Sequence, residues 1–433
     1  MKKVYIFLPI CIVLIIGIIV ITKISFKEEE STTIMLFAHE FDKNIEVLDL
    51  SQYDIKKEND WANKIKDFAN LKEVKLGNNV IPIATKTNLE IEYPNIVFDS
   101  VVEINLYNQT LLSTAEIIDL SNKQIDSKII DYLTWFPNAK MVDLTNTNLT
   151  NKEKITLKEK YPNISFAWNV LVADNDYKSS VEEIDLSNKT NINLGDLKES
   201  LKLLTNLNVL KMNNTNLTNE ELDSIRKEVP NVKVIWNIKF GKWEISTDTV
   251  AFSTANIRVF PDALTSDDIE VLKYCTDLRA LDLGHNRITD ISVIGNYLKD
   301  LRILILADNK ISDISPLANL KNLHYLELFM NDVTDFSPLA SLTNLVDVNI
   351  CYDTVSDITP FLKLPKLERL WIVGCSIDNQ MSLLKSTYPN AQIVNYGYGS
   401  TGSGWRTHER YYAYMDMFKK QNYISDLFTK YDE

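Results

Sequence analysis

A chain of 433 residues at 45% hydrophobic content has ample material for a long core, enough for two or three ordinary domains unless it is a repeat array. A formal charge of −13 argues against a nucleic-acid partner, because phosphate binding needs clustered cations. Four cysteines without C-x-x-C spacing make no disulfide framework, and four histidines without paired spacing make no H-E-x-x-H metal site.

Met1-Lys2-Lys3 precedes an uncharged run from Val4 to Thr22, 19 residues long and closed by Lys23. That length spans a bilayer as a helix. A cleaved signal peptide is the alternative, but the run is rich in Ile and Val and no A-x-A-like site follows it. Residues 1–25 therefore read as an N-terminal membrane anchor or signal peptide, and Lys2 and Lys3 favour an inside N-terminus. Residues 26–44 read as a stalk and N-terminal cap.

Residues 45–260 carry a period of about 68 residues. VLDLSQ, IIDLSN and EIDLSN place Leu50, Leu120 and Leu186 in equivalent positions. EVKLGNN, MVDLTNTNLTN and VLKMNNTNLTN equate Leu76, Leu144 and Met212. The YPN or VPN blocks equate Pro94, Pro162 and Pro230. Within one copy the steps are 24, 22 and 20 residues, so each unit is three turns of a solenoid. NKEKITLKEKYP and NEELDSIRKEVP read as helices with an Asn start, early acids and a Pro stop. WNVLVADND and WNIKFGKWEI, the latter with Gly241-Lys242 as its tip, read as β-excursions at one rim; Val102 to Thr110 does the same in the first copy.

In residues 261–378 the period tightens. LRALDLGHN, LRILILADN, LHYLELFMN, LVDVNICYD and LERLWIVGC start at Leu278, Leu301, Leu323, Leu345 and Leu367, at steps of 23, 22, 22 and 22. Apolar residues at the first, fourth and sixth places point inward, because side chains alternate across a strand. Asn286, Asn309 and Asn331 stand where the chain leaves the strand, where an inward amide satisfies backbone groups of neighbouring turns. The Ser-Pro-Leu pieces at Ser315 and Ser337 break the strand on the convex side.

This L-x-x-L-x-L-x-x-N pattern with its I-S-D-I-S-P-L-A-x-L connector resembles the internalin class of bacterial leucine-rich repeat proteins, from Cys275 to Ile377. The resemblance implies a surface-displayed binding protein rather than an enzyme. No LPxTG signal is present, so anchoring and adhesion are not carried over with it. The expected fold is α/β: a leucine-rich repeat solenoid with a curved parallel β-sheet on the concave face and helices and turns on the convex face, behind an N-terminal transmembrane helix.

Residues 379–433 supply the last strand, around Tyr388 to Ile393, and a C-terminal cap. Gly397 to Gly404 is a Gly/Ser-rich bend, and Trp405 to Gln421 reads as an amphipathic helix whose aromatic stripe closes the open end of the array. Arg406, His408 and Arg410 suit an anion, but read better as a solvated helix face.

Chemistry is mostly missing from the pattern. No P-loop or G-x-S-x-G occurs. Cys351 and His285 are three repeats apart, about 14 Å at the spacing of strands, too far for a nucleophile and its base. No catalytic, cofactor or metal residues are assigned.

The third, fifth, seventh and eighth places face away from the core. There the pattern leaves large or charged side chains it does not need for packing: Tyr325, Glu327, Phe329, Asp347, Tyr352, Arg369 and Trp371. Aromatics and Arg dominate interface energies, so these seven form the candidate ligand-binding face. Two other readings are open: the cap helix or a rim hairpin lies across this face, or the rings shield one another as a ladder. The expectation is a non-enzymatic extracytoplasmic protein, single-pass in the membrane, that binds a protein ligand on its concave face. The alternative is an envelope scaffold that binds cell-wall glycan or a membrane partner.

Overall fold

A computed structural model of the protein describes residues 32–58, 60–254 and 262–424. The Val4–Thr22 run lies outside them; among the described residues no helix is long and apolar enough to cross a membrane. The chain divides into two units, Met1–Leu149 with Thr156–Phe166, and Thr150–Ile155 with Ala167–Glu433.

In the first unit the strands Val47–Asp49, Glu73–Pro82 and Val97–Leu106 run parallel, and Gln109–Leu112 folds back against the third. Ile117–Asp119, Met141–Asp143 and Ser165–Ala167 make a second sheet. The D-L-S and D-L-T spelling has a local cause. The carboxylates of Asp49, Asp119 and Asp143 each accept the backbone N–H two residues on, at 2.9, 2.9 and 2.8 Å. This turns the chain out of the strand. Leu48, Leu50, Val74, Leu76 and Phe98 fill the interior of the first sheet.

The parallel sheets of the second unit begin with Glu183–Asp185, Val209–Lys211 and Lys233–Ile235, which pair in register. Seven further parallel strands follow in sequence order: Ala251–Ser253, Ala280–Asp282, Ile303–Ile305, Tyr325–Glu327, Asp347–Asn349, Arg369–Trp371 and Gln392–Val394. Five are the expected repeat strands, the last is the strand expected around Tyr388 to Ile393, and Ala251–Ser253 was not expected. Leu281, Leu304, Leu326, Val348 and Leu370 point inward and are fully buried.

The asparagine ladder has the expected role. Asn309 Oδ1 accepts the Ile288 N–H at 3.0 Å, while its Nδ2 donates to the carbonyls of Leu283 and Leu306, each at 3.0 Å. Asn331 repeats this one turn on. Pro316 and Pro338 open the 3-10 turns Ser315–Asn319 and Ser337–Ser341 on the opposite side of each turn.

The helices and rim hairpins also form as read. Asn151–Lys160 and Asn219–Glu228 are helical, the second closed by a capping box between Thr218 and Glu221. Three expected hairpins turn at Tyr107-Asn108, Ala173-Asp174 and Gly241-Lys242. A fourth, Thr33–Leu36 with His39–Asp42, turns at Phe37-Ala38, inside the stretch read as stalk and cap. The four turns fall at residues 37, 107, 173 and 241, so the long period extends one copy further back than the strand spelling shows.

Candidate functional site

The outward rows of the seven-stranded sheet are set by register. Across neighbouring strands Ala251, Ala280, Ile303, Tyr325, Asp347, Arg369 and Gln392 stand side by side in one row. Ser253, Asp282, Ile305, Glu327, Asn349, Trp371 and Val394 form the next. Five of the seven candidate residues sit in these two rows, so the pattern brings them together as expected. Phe329 and Tyr352 follow at the strand exits.

Their expected exposure is corrected. Tyr325, Glu327, Phe329, Asp347, Arg369 and Trp371 are all buried, and only Tyr352 remains open, at 46%. The cover is the chain's own C-terminus. The helix Glu409–Lys420, with His408 as its N-cap and Gln421 left-handed at its C-cap, crosses the sheet and reaches the Ala251–Ser253 and Ala280–Asp282 strands. It lies on the face of the sheet, not across the end of the array. Closure of the open end is thus corrected, and the open alternative of a cap helix lying across this face is the arrangement found.

Spacing explains the fit. One helical turn advances ~5.4 Å and one strand ~4.8 Å, so residues four apart on the helix meet successive strands. Arg410 lies over Asp347, and Tyr414 meets Tyr325 edge to face with centroids 4.5 Å apart. Met417 and Phe418 join the cluster that includes Ala251 and Ala280, where small outward residues leave room for them. Trp405, ahead of the helix, stacks on Tyr325 at 5.5 Å and packs against Trp371 at 5.0 Å.

Polar atoms fix the register. Arg410 donates from Nε and Nη2 to the two oxygens of Asp347, at 3.0 and 2.7 Å, and from Nη1 to Glu368 at 2.6 Å. The expectation of a solvated face fails for Arg410, which is buried; His408 caps the helix by accepting the Arg410 N–H at 3.2 Å. Trp405 Nε1 donates to Glu327 at 2.8 Å, and Tyr325 also donates its hydroxyl proton to Glu327. Arg369 spreads over the Trp405 ring at 4.4 Å and donates to the Trp405 carbonyl at 2.9 Å. Trp371 Nε1 donates to the Gly402 carbonyl at 2.9 Å and Asn349 Nδ2 to that of Ser400 at 2.8 Å, so the Gly/Ser-rich bend is held too. Burial pushes the Glu327 and Asp347 carboxyls up, while Arg410 and Arg369 pull Asp347 back down.

Tyr352 is placed differently. It sits in the left-handed region at φ 66, as do His285, Asp308 and Met330 at the same place in their repeats. This backbone turn carries the eighth side chain out to the rim. A Cβ on Gly374, itself at φ +80, would come within 2.5 Å of the Tyr352 ring, so glycine is required beneath it. The Gly399 N–H donates to the Tyr352 hydroxyl at 3.2 Å.

The site has little to offer chemically beyond recognition. The Cys275, Cys351 and Cys375 thiols are pushed up to about 12, chiefly by burial, which withholds the reactive thiolate at neutral pH. His285 pairs its Nδ1 with Asp308 at 2.8 Å. Among the described residues no cluster of side chains is arranged to hold a metal. Trp405, Arg410 and Tyr414 complete the site; the sequence singles out Arg410 only as a candidate anion contact on a solvated face, and the other two only as part of the aromatic stripe. The one signal for them was the amphipathic stripe, read beside an acidic outward position at Asp347.

Comparison with known proteins agrees with this architecture. The family model for leucine-rich repeats, in two copies, matches residues 276–319 and 299–341. Residues 276–341 are leucine-rich repeats. Solved structures similar to it include an internalin of Listeria monocytogenes, 19% identical over 78% of this chain and 79% of that one, with a TM-score of 0.30. A leucine-rich repeat protein of Leptospira interrogans is 18% identical over 77% and 92%, with a TM-score of 0.30. The leucine-rich repeat ectodomain of a receptor kinase from Arabidopsis thaliana is 19% identical over 29% and 68%, with a TM-score of 0.24. No curated protein matches the chain.

Proposed function

We propose that this is a non-enzymatic binding protein that recognises a protein ligand through the concave face of its regular repeats. Tyr325, Glu327, Phe329, Asp347, Tyr352, Arg369 and Trp371 are the contact residues of that reading. One observation carries it. The face already holds a polypeptide, its own C-terminal segment, by ring stacking, a bidentate arginine and hydrogen bonds to backbone carbonyls. These are the elements of a protein interface. The uncharged run Val4–Thr22 supports an extracytoplasmic position behind a membrane anchor.

The alternative, an envelope scaffold that binds wall glycan or a membrane partner, draws on Tyr396 and Tyr398. They are 75% and 100% exposed and suit stacking on sugars. The two readings separate in one experiment with the full chain. Retention on purified wall glycan, reversed by excess soluble sugar, would defeat the protein-ligand reading. Indifference to glycan, with saturable capture of a single surface protein that Tyr352→Ala weakens, is the result expected.

A further inference from the structure

The covered face has a consequence for what kind of partner it accepts. We propose that the sheet surface from Ile303 to Trp371 is a receptor for an amphipathic helix of a protein partner, and that residues 405–418 are a resident occupant which such a helix displaces. This rests on the reading that the face binds a protein ligand, and names the chemistry of that ligand.

The match between face and occupant defines the partner. Trp405 enters between Tyr325, Trp371 and Arg369, Arg410 meets Asp347, and Tyr414 meets Tyr325. A competing segment therefore carries a tryptophan ahead of its helix, an arginine five residues later and an aromatic ring four residues after that. Charge complementarity decides the polarity of docking. Asp347 and Glu368 face the guanidinium, and at the neighbouring position Arg369 takes the carbonyl of the entering tryptophan.

Two features separate an exchangeable occupant from a permanent cap. The first is the connector. Gly397 to Gly404 joins the last strand to the segment, with Gly397, Gly399, Ser403 and Gly404 all at positive φ. Its release breaks hydrogen bonds with Trp371, Asn349 and Tyr352 but no strand pairing. The second is how the contact is held. A buried ion pair specifies geometry but adds little net stability, since desolvation of both charges offsets their attraction. A cap selected for strength alone would be served by apolar residues where Arg410, Asp347 and Glu327 stand. An approach from solvent also exists, because Glu368 is 42% exposed beside Arg410 and Tyr352 is open at the rim.

The test uses the full chain and a fluorescent peptide of residues 404–421. Arg410→Ala cuts the resident anchor, so the variant chain should take up the peptide at least tenfold more tightly than the wild-type chain. A peptide with alanine at position 410 should lose that gain. Equal uptake by both chains, with the variant's circular dichroism unchanged, would overturn the proposal. So would a dimeric Arg410→Ala chain in light scattering, which would assign the face to a second copy. Hydrogen exchange on the wild-type chain gives an answer that needs no variant. Amides 411–420 should exchange at least a hundredfold faster than those of the strands beneath them. Exchange of both at one rate, only on global unfolding, sinks the idea. The wider reading survives that result if a protein ligand is still captured elsewhere, and falls if none is captured at all.

Discussion

Arg410 clasps Asp347 through two parallel hydrogen bonds, although 63 residues separate them in the chain. Both are almost wholly withdrawn from solvent. Arg369 approaches the same carboxylate at 3.6 Å, so one buried acid organises two guanidiniums.

Arg410→Ala leaves Asp347 buried with only the longer contact to Arg369. The expected loss is about 3–5 kcal/mol, the cost of stranding one member of a buried pair. Adding Asp347→Asn, which removes the stranded charge and leaves Arg369 an amide oxygen, should recover part of it. Urea titration of the two variants checks this, and a double variant as unstable as the single one would contradict the account.

Asp353 stands where its neighbours in the ladder have Asn286, Asn309 and Asn331. Its Oδ1 accepts the Asn331 N–H at 2.9 Å, and its buried Oδ2 has no partner. Burial pushes this carboxyl from 3.8 to about 7. A raised native value means the folded state holds the proton more tightly. The stability it contributes is full below pH 3.8 and is lost progressively as pH climbs to about 7. Asp353→Asn restores the ladder amide, so it should add about 1–3 kcal/mol above pH 7 and flatten that slope. Thermal melts of both proteins from pH 4 to pH 8 test the sign.

Asn309→Ala removes an amide that serves four backbone groups at once. Each stranded group costs about 1–3 kcal/mol where water cannot reach it. A loss of about 3 kcal/mol or more is expected, measured by denaturant midpoint. A loss under about 1 kcal/mol would mean that water replaces the side chain.

Tyr352→Ala and Trp371→Ala should part company. Trp371 is fully buried against Trp405, so its truncation is expected to cost about 3–5 kcal/mol. Tyr352 is half open, so its loss should stay within about 1 kcal/mol while weakening any ligand that enters at the rim. Near-ultraviolet dichroism and melting temperature separate the two effects.

The regular strands, the inward leucines, the ladder asparagines, the rim hairpins and the last strand were legible in the chain because they depend on local rules repeated many times. Alternation fixes which side of Leu326 or Leu370 faces in, and a period of 22 residues fixes which side chains share a row. The residues of the candidate face were legible for the same reason, as outward positions that packing within a turn does not use. Their burial was legible only as one of several open readings, that of a cap helix lying across the face. Whether Tyr325 and Trp371 meet solvent depends on where the later helix Glu409–Lys420 comes to rest, and nothing in the spacing of either segment states that. The docking is decided by complementarity across distance: one helical turn nearly matches one strand spacing, and Arg410 arrives over Asp347. Periodicity therefore determined the scaffold and the membership of the face. Only the tertiary structure decided that the protein covers that face itself, because long-range contacts of aromatic and charged groups leave no periodic trace.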